Sequence, residues 1–344
     1  MELALHLDHD CNLRCRYCYA GRKFSRRMSL QVATRAVEVA LDFGAGGLGL
    51  TFFGGEPLLA FDLVKEVAAF AREACLERRR MYRLRIATNA TLLDEPAARW
   101  LVDNRFDVQV SLDGLPEAHD RNRRTADGHG SYQETAEGLA RLRAAGGDPL
   151  IQAVVTPSNL EWLPESVAHL EGLGVRRLLV SENPHGSWDE AACDLFERQL
   201  DRVGQWYGQK MREQAPVRLE PLAGLVERLA SGERAAACHF GKDLAVAPSG
   251  TLYPCSRLVG TDEDHAVSIG DVSTGVDAKR REALVAKARV TDQECRECEW
   301  RTQCNYGCAC AAYTQAGRFG GVTPLFCWMQ RCWMRQAAKI RLAS

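Results

Sequence analysis

Three cysteine residues near the N-terminus have the type and spacing to bind a metal cluster. Cys11, Cys15 and Cys18 form the pattern C-x3-C-x2-C. Closed electron-transfer clusters are ligated by four cysteine thiolates, so three would leave one iron of a [4Fe–4S] cluster open to a substrate or cofactor. The alternatives are a regulatory redox cluster and a tetrahedral zinc site, which His9 or Asp10 could complete.

A second and larger group of cysteines lies in the C-terminal third of the chain. Its order is Cys238, Gly250-x4-Cys255, Cys295-x2-Cys298-x5-Cys304-x3-Cys308 and Cys327, with Cys310 and Cys332 as further thiols. Short C-x2-C pairs taken alone fit zinc knuckles as well as iron–sulfur clusters. Cys75 and Cys193 lie apart from both groups in helical stretches, and we interpret them as small buried hydrophobic residues.

Composition and charge narrow the class of protein. The 344-residue chain has 46% hydrophobic and 26% charged residues and a formal net charge of −1. General nucleic-acid binders need a basic surface, so no nucleic-acid partner is expected. No run of 18 apolar residues is present, and Glu2 stands where a signal peptide would be basic, so neither a membrane partner nor export is expected. We predict a cytoplasmic protein, in which disulfides are rare and crowded thiolates indicate metal.

Strand-like runs alternate with helical stretches up to about residue 185. The runs are Leu3–Leu7, Leu48–Phe53, Leu84–Ala87, Val108–Leu112, Leu150–Val155 and Val175–Val180. Most are continuous apolar runs, as in parallel strands buried on both faces. Successive strand–helix units predict a parallel sheet with right-handed crossovers, and six units are fewer than the eight of a closed TIM barrel. The predicted fold class is α/β, with a partial (β/α)6 TIM-like barrel.

The residues able to do chemistry follow the predicted strands. The first cysteine group comes after the first strand, Gly54–Pro57 after the second, and Ser111–Gly114 surround the end of the fourth. Loops at the C-terminal ends of parallel barrel strands converge, so these segments should meet at one edge of the barrel.

The remainder of the chain has a different character. Trp188–Leu229 has the pattern of a helical connector, and beyond it cysteines, glycines and aromatic residues become more frequent while periodicity is lost. We predict a barrel with its connector over residues 1–234 and a small cysteine-rich domain over residues 235–344.

Residues 1–185 resemble the radical S-adenosylmethionine (radical SAM) superfamily. The resemblance is carried by the first cysteine pattern with Tyr17 before its third cysteine, and by Gly54-Gly55-Glu56-Pro57, Ser111-Leu112-Asp113-Gly114 and His119-Asp120-Arg121-Asn122-Arg123. It implies that Cys11, Cys15 and Cys18 bind a [4Fe–4S] cluster whose open iron takes the amino and carboxylate groups of SAM.

The same resemblance implies a set of SAM-binding residues. The set is Tyr17, Gly54, Gly55, Glu56, Ser111, Asp113 and Arg123. The Gly-Gly-Glu segment would hold the amino group of SAM and the Ser-Leu-Asp-Gly segment its ribose. Arg123 would pair with the carboxylate, with Arg121 and Arg124 as competitors. A planar guanidinium makes two charge-assisted bonds to a carboxylate, and glycine lets the backbone approach a ligand closely.

The C-terminal cysteines resemble the SPASM domain, which follows radical SAM barrels and carries auxiliary [4Fe–4S] clusters. By position, one cluster would be ligated by Cys295, Cys298, Cys304 and Cys327, and a second by Cys238, Cys255 and Cys308. The second set has only three members, because the anaerobic sulfatase-maturating enzymes supply a cysteine shortly after the first and this chain has none there. His239, Cys310 or Cys332 could complete it, or its iron could stay open for a substrate thiolate.

The resemblance implies an enzyme that oxidatively modifies a peptide or protein substrate. An electron from a donor such as flavodoxin or ferredoxin would cleave SAM to a 5′-deoxyadenosyl radical, which takes hydrogen from a ribosomal peptide. The product would carry a thioether or carbon–carbon cross-link or a similar modification, and no residue is assigned a catalytic role.

Two other functions are open at this point. The nearer one is sulfatase maturation by formylglycine formation. Against it, Ser256 stands where those enzymes have an aspartate assigned as a base, and a serine hydroxyl cannot take a proton as a carboxylate does. The other, from a different class, is a non-catalytic iron–sulfur or zinc-binding protein.

Overall fold

One mixed β-sheet forms the centre of the molecule. The structure is a computed structural model that describes residues 1–236, 238–289, 292–304 and 308–343. In chain order, the strands within these ranges are β1 (Glu2–His6), β2 (Leu48–Phe53), β3 (Tyr82–Thr88), β4 (Asp107–Ser111), β5 (Leu150–Val155), β6 (Arg177–Glu182), β7 (Arg218–Glu220), β8 (Leu244–Val246), β9 (Thr251–Tyr253), β10 (Gly270–Asp271) and β11 (Gly275–Val276). Their spatial order is β11-β10-β9-β8-β1-β2-β3-β4-β5-β6-β7.

The strands β1 to β6 form the parallel partial barrel that the sequence predicts. Each pairs in parallel with the next, as Leu5 of β1 does with Phe52 of β2. Leu3, Leu5 and Leu50 are completely buried in the hydrophobic core between the sheet and its helices. The apolar runs in the sequence therefore mark the strands correctly, to within a few residues at their ends.

The predicted helical connector is wrong in one respect, because it contains a strand. Residues 218–220 form β7, which extends the barrel in parallel beside β6. The strand has the sequence Arg-Leu-Glu and buries only Leu219 completely, so it carries no apolar run that could distinguish it from a helix. Its pairing with β6 is a tertiary contact that local sequence does not encode.

Helices cover the barrel and continue through the C-terminal part. They are α1 (Leu30–Phe43), α2 (Phe61–Glu77), α3 (Glu95–Asp103), α4 (Pro116–Asp120), α5 (Tyr132–Ala144), α6 (Leu163–Gly172), α7 (Glu190–Arg212), α8 (Leu222–Ser231), α9 (Ala278–Lys287), α10 (Gln293–Glu297), α11 (Ala309–Ala316) and α12 (Pro324–Ala343). Ser29 caps the N-terminus of α1, because its hydroxyl accepts a hydrogen bond from Val32 N at 3.2 Å.

The cysteine-rich part is joined to the barrel through the sheet. Strand β8 pairs in parallel with β1, and β8 to β11 follow one another as antiparallel neighbours. Helix α12 packs against α7 and α8. The predicted division at residues 234 and 235 stays a prediction, and strands on either side of it belong to one sheet. Among the described helices, none has the length and apolar character to cross a membrane.

Candidate metal and cofactor site

The first cysteine group lies on a loop that follows β1 and is held against the segment containing Arg123. Arg14 N donates to the carbonyl of Arg124 at 2.6 Å, and Arg16 N donates to the carbonyl of Asn122 at 2.9 Å. These backbone bonds join residues more than a hundred positions apart in sequence. The predicted cluster loop and the predicted SAM-carboxylate segment are therefore adjacent.

The thiols of this loop are near enough to influence one another electrostatically. Burial raises the pKa of the Cys11 thiol to about 12, and the charges of Glu56 and Cys15 add to the rise. Burial also raises the pKa of Cys15, with Cys18 adding to it. Three neighbouring thiolates in such a place need positive charge, which iron supplies when it displaces their protons. The donor set thus fits a metal cluster.

A lysine already compensates part of that negative charge. Lys23 Nζ lies 3.0 Å from Cys18 Sγ, and Leu13 N donates to Cys11 Sγ at 3.4 Å. Hydrogen bonds to cysteine sulfur are among the features by which a protein adjusts the reduction potential of an iron–sulfur cluster. Nothing in the sequence distinguishes Lys23 from its basic neighbour Arg22. Its position beside Cys18 is visible only in the structure.

The glycine pair after β2 allows two backbones to touch. A Cβ atom on Gly55 would lie 1.7 Å from the carbonyl oxygen of Asp10, and Gly54 has a φ of +133°. Gly55 N donates to the carbonyl of Asp8 at 2.8 Å, so the Gly-Gly-Glu loop lies directly against the cysteine loop. No side chain fits at Gly55, and this close approach explains the glycine there.

Glu56 is buried and its carboxylate is already held by protein donors. It accepts hydrogen bonds from Leu58 N at 3.0 Å, Thr88 Oγ1 at 2.7 Å and Asn89 N at 2.8 Å. Burial raises the pKa of this carboxyl, while those three donors oppose the rise. In this conformation Glu56 joins the ends of β2 and β3, and its predicted contact with the SAM amino group stays a prediction.

Tyr17, Asp113 and Arg123 form a buried cluster of their own. Asp113 accepts from Tyr17 Oη at 2.5 Å and from Val154 N at 2.9 Å, and its Oδ1 lies 3.1 Å from Arg123 Nε. The guanidinium lies 5.1 Å from the centre of the Tyr17 ring. Both Asp113 oxygens therefore contact protein groups, whereas Ser111, which ends β4, is only half-buried. Their predicted contacts with ribose stay predictions.

Arg123 differs from its two competitors in environment. Arg123 is buried, its charge acts on the Cys15 thiol, and its Nε has no aligned hydrogen-bond partner among the described residues. Arg121 Nε instead donates to the carbonyl of Ser158, and Arg124 Nε to the carbonyl of Asp120. A buried guanidinium whose charge acts on the cluster loop suits the carboxylate of SAM better than two arginines that donate to backbone carbonyls, so the geometry favours Arg123.

His119 is connected to Arg123 through Ser131, and the sequence did not predict this contact. Its Nδ1 accepts from Asp113 N at 3.3 Å, and its Nε2 lies 3.0 Å from Ser131 Oγ, which donates to the carbonyl of Arg123 at 3.0 Å. Burial and the charge of Arg123 hold the pKa of His119 well below 6.5. A lone histidine in a charged segment gives no sign of such a network, which only the fold assembles.

We expect this buried neutral imidazole to make the protein sensitive to acid. The unfolded chain binds a proton at His119 below pH 6.5 and the folded chain does not, so the free energy of unfolding falls as pH falls. The loss is about 1.4 kcal/mol per pH unit from this group. Urea denaturation between pH 7 and pH 5 should show a smaller loss in His119→Asn, whose amide oxygen can accept from Asp113 N. An equal pH dependence in both proteins would contradict the assignment.

The first auxiliary cysteine set surrounds one cavity. An open cavity of about 910 Å³ is lined by Cys295, Cys298, Cys304 and Cys327. Arg331 also lines it, with Nη2 3.9 Å from Cys298 Sγ. The negative charges of Cys327 and Cys298 raise the pKa of Arg331. Four thiols and a compensating cation around one space fit a cluster ligated by four cysteines.

The second auxiliary set also comes together. Cys255 and Cys308 act electrostatically on each other, and both act on Cys238. The thiol of Cys310 hydrogen-bonds to both Cys255 and Cys308 and lowers the pKa of Cys308 to about 6. Within the described ranges, no group of three or more His, Cys, Asp or Glu side chains is arranged to hold a single metal ion.

Comparisons with known proteins agree with these observations. Residues 9–170 match the family model of the radical SAM superfamily. An uncharacterized protein of Methanocaldococcus jannaschii is 33% identical over 177 residues, which cover 52% of this chain and 60% of that protein. The PqqA peptide cyclase of Gluconobacter oxydans is 26% identical over 94% of this chain and 90% of its own. A cysteine-type anaerobic sulfatase-maturating enzyme of Clostridium perfringens is 23% identical over 87% of this chain and 85% of its own.

Solved structures show the same fold over nearly the whole chain. Native anSMEcpe with bound AdoMet superposes with a TM-score of 0.83 at 19% identity, covering 99% of this chain and 98% of that one. Streptococcus suis SuiB bound to its precursor peptide SuiA superposes with a TM-score of 0.66 at 16% identity, covering 94% of this chain and 75% of that one.

Residues 9–170 are a radical SAM domain, as the sequence resemblance predicts, and this domain marks the chain as an enzyme. Its overall fold is that of the SPASM-type enzymes anSMEcpe and SuiB. A radical SAM domain implies SAM and a [4Fe–4S] cluster as cofactors. The alternative of a non-catalytic binding protein is thereby wrong.

Proposed function

We propose that this enzyme uses SAM to modify a ribosomal peptide oxidatively, forming a thioether or carbon–carbon cross-link or a similar bond. The observation that carries the proposal is the contact between the cysteine loop, the Gly-Gly-Glu loop and the Arg123 segment. Peptides are the substrate class favoured by the relatives, since one is a PqqA peptide cyclase and SuiB is bound to a precursor peptide.

Each group of residues has a separate task in this proposal. Cys11, Cys15 and Cys18 would hold the first cluster, which when bound and reduced supplies the electron that cleaves SAM. Arg123 would orient SAM through its carboxylate, and the buried Asp113 keeps that guanidinium in place. The C-terminal cysteine sets would hold two auxiliary clusters that accept an electron from the substrate. A donor such as flavodoxin or ferredoxin and a cytoplasmic location without nucleic-acid or membrane partners stay predictions.

Arg123→Lys tests the carboxylate contact while leaving a positive charge beside Asp113. A charge-assisted bond is worth about 1.5–3 kcal/mol, so loss of the fork should weaken SAM binding about 10- to 100-fold, measured by calorimetry on the anaerobic protein. Arg121→Lys is the matched control and should bind SAM normally. SAM lacking its carboxylate should bind wild type and Arg123→Lys equally well. If the Arg123→Lys variant also bound that analogue more weakly than wild type does, the variant would have lost more than the carboxylate contact.

Sulfatase maturation is the second candidate, favoured by the similarity to anaerobic sulfatase-maturating enzymes along most of the chain. Against it, the residue after Cys255 is Ser256, whose hydroxyl is hydrogen-bonded to Tyr19. A serine in this position has no carboxylate, and a carboxylate is the group assigned as the base in formylglycine formation.

Mass spectrometry of candidate peptides distinguishes the two functions. Peptides would be incubated anaerobically with the enzyme, SAM and reductant. Loss of two hydrogens together with resistance to proteolysis across the modified segment supports the cross-linking proposal. Conversion of a cysteine or serine to an aldehyde supports the maturase instead. Formation of 5′-deoxyadenosine with no peptide product, across both classes of peptide, would contradict the assignment of a peptide substrate.

A further inference from the structure

The second auxiliary cysteine set has a fourth thiol in contact with it. Cys310 is completely buried, and its side chain hydrogen-bonds to those of Cys255 and Cys308. The fold places it there in a definite way. Cys308 caps the N-terminus of α11, accepting from Ala311 N at 3.4 Å, and Cys310 lies in the first turn of that helix. Helix α11 in turn packs against the short 3-10 helix Ser256–Leu258, which directly follows Cys255.

An ordinary buried cysteine has a different environment. Cys75 is equally buried, and it lies in α2 within the hydrophobic core. Cys310 instead faces two thiols of a predicted cluster, close to the cationic Arg257, which acts on both Cys255 and Cys308. A four-iron cluster with four thiolates carries net negative charge, and a nearby arginine compensates it. The contact with two thiols and the nearby arginine both fit a cluster ligand better than a residue that only fills the core.

The other two candidates for the fourth position have other partners. Cys332 Sγ lies 3.2 Å from Arg335 Nη2 and 3.4 Å from Glu197 Oε1, on the α12 side of α7. The exposed ring of His239 lies 3.1 Å, through Nδ1, from Asp243 Oδ2. Of the three residues, Cys310 is the one in contact with two members of the set.

We propose that Cys238, Cys255, Cys308 and Cys310 form a closed ligand set for the second auxiliary cluster. The inference rests on the proposed function, since it assumes an auxiliary cluster at this place. It deepens that function, because a cluster with four protein thiolates has no iron open to a substrate thiolate. The cluster would then transfer electrons without binding the peptide.

The test is the iron content and EPR spectrum of the reconstituted full-length protein. Wild type should hold about twelve irons, from three four-iron clusters. Cys310→Ala should lose between about one and four of them, with the EPR signal of an oxidised three-iron cluster where a single iron is lost. Cys332→Ala is the matched control, being a buried thiol away from the set, and should keep the wild-type content and spectrum.

An added external ligand and a second variant distinguish a closed ligand set from an open one. Cyanide added as an external ligand should leave the auxiliary EPR signals of wild type unchanged; a perturbation there would reveal an open iron and overturn the inference. So would full iron content and an unchanged spectrum in Cys310→Ala. Cys310→Ser, of nearly the same volume, decides the matter if the alanine variant fails to fold, since it should retain iron with an altered spectrum. If wild type held only about four irons yet still responded to SAM, the proposed auxiliary clusters would fall together with this inference, and the first cluster would stand.

Discussion

Cys15→Ala is expected to reduce the formation of 5′-deoxyadenosine from SAM to background. The first set has only three thiols, so removing one leaves two protein ligands for a four-iron cluster, well short of the usual four. Cys15 is also the thiol on which the Arg123 charge acts, so its loss removes that electrostatic interaction between the cluster loop and the predicted carboxylate site. The measurement is product formation by chromatography after anaerobic reduction, together with iron content.

Cys193→Ala is the matched control for this experiment. Cys193 lies in the first turn of α7, apart from the three predicted cysteine sets, and it is partly exposed, so its predicted burial is wrong. It should retain SAM cleavage, all iron and the wild-type spectrum. The assignment of the first cluster would be overturned if Cys15→Ala kept turning over SAM with wild-type iron content. A loss of folding is separated from a loss of ligation by circular dichroism of the two apoproteins.

The sequence predicts the barrel well because its signals are local. Ser29, for example, is a residue type that caps helices and is followed by the apolar spacing of one helix face, and in the structure it caps α1. The buried strands contain continuous apolar runs, which only parallel strands covered on both sides require. Strand β7 could not be predicted in this way, because three residues with one buried leucine have no apolar pattern to detect.

The candidate site was predictable in its location and less so in its contacts. Strand-end positions alone indicate that the Gly-Gly-Glu loop and the cysteine loop meet. The hydrogen bonds that occupy Glu56 and Asp113 depend on Thr88 and Val154, which belong to neighbouring strands. Likewise, spacing could not choose among three candidates for the fourth auxiliary ligand, because only the packing of α11 brings Cys310 to Cys255.

Gly55→Ala is expected to damage the site as severely as loss of a cysteine, but by a steric route. The added Cβ would lie 1.7 Å from the carbonyl oxygen of Asp10, and a backbone atom cannot rotate away as a flexible side chain can. The two loops must separate, which breaks the bond from Gly55 N to the carbonyl of Asp8. Overpacking of this kind costs typically about 1–3 kcal/mol, so urea denaturation of the apoprotein should show a loss near the upper end of that range. Iron binding at the first set and SAM cleavage should fall together.

Gly172→Ala provides the comparison that separates this clash from the general effect of removing a glycine. An added Cβ on Gly172 meets no atom within 4 Å, and the residue ends α6. Alanine there should leave SAM cleavage unchanged and raise the free energy of unfolding by about 0.5–1 kcal/mol, because it restricts the unfolded chain. Equal activity in Gly55→Ala and Gly172→Ala would mean that the two loops need not touch for SAM to be cleaved. The contact between them would then belong to the stability of the barrel and have no part in holding the cofactor.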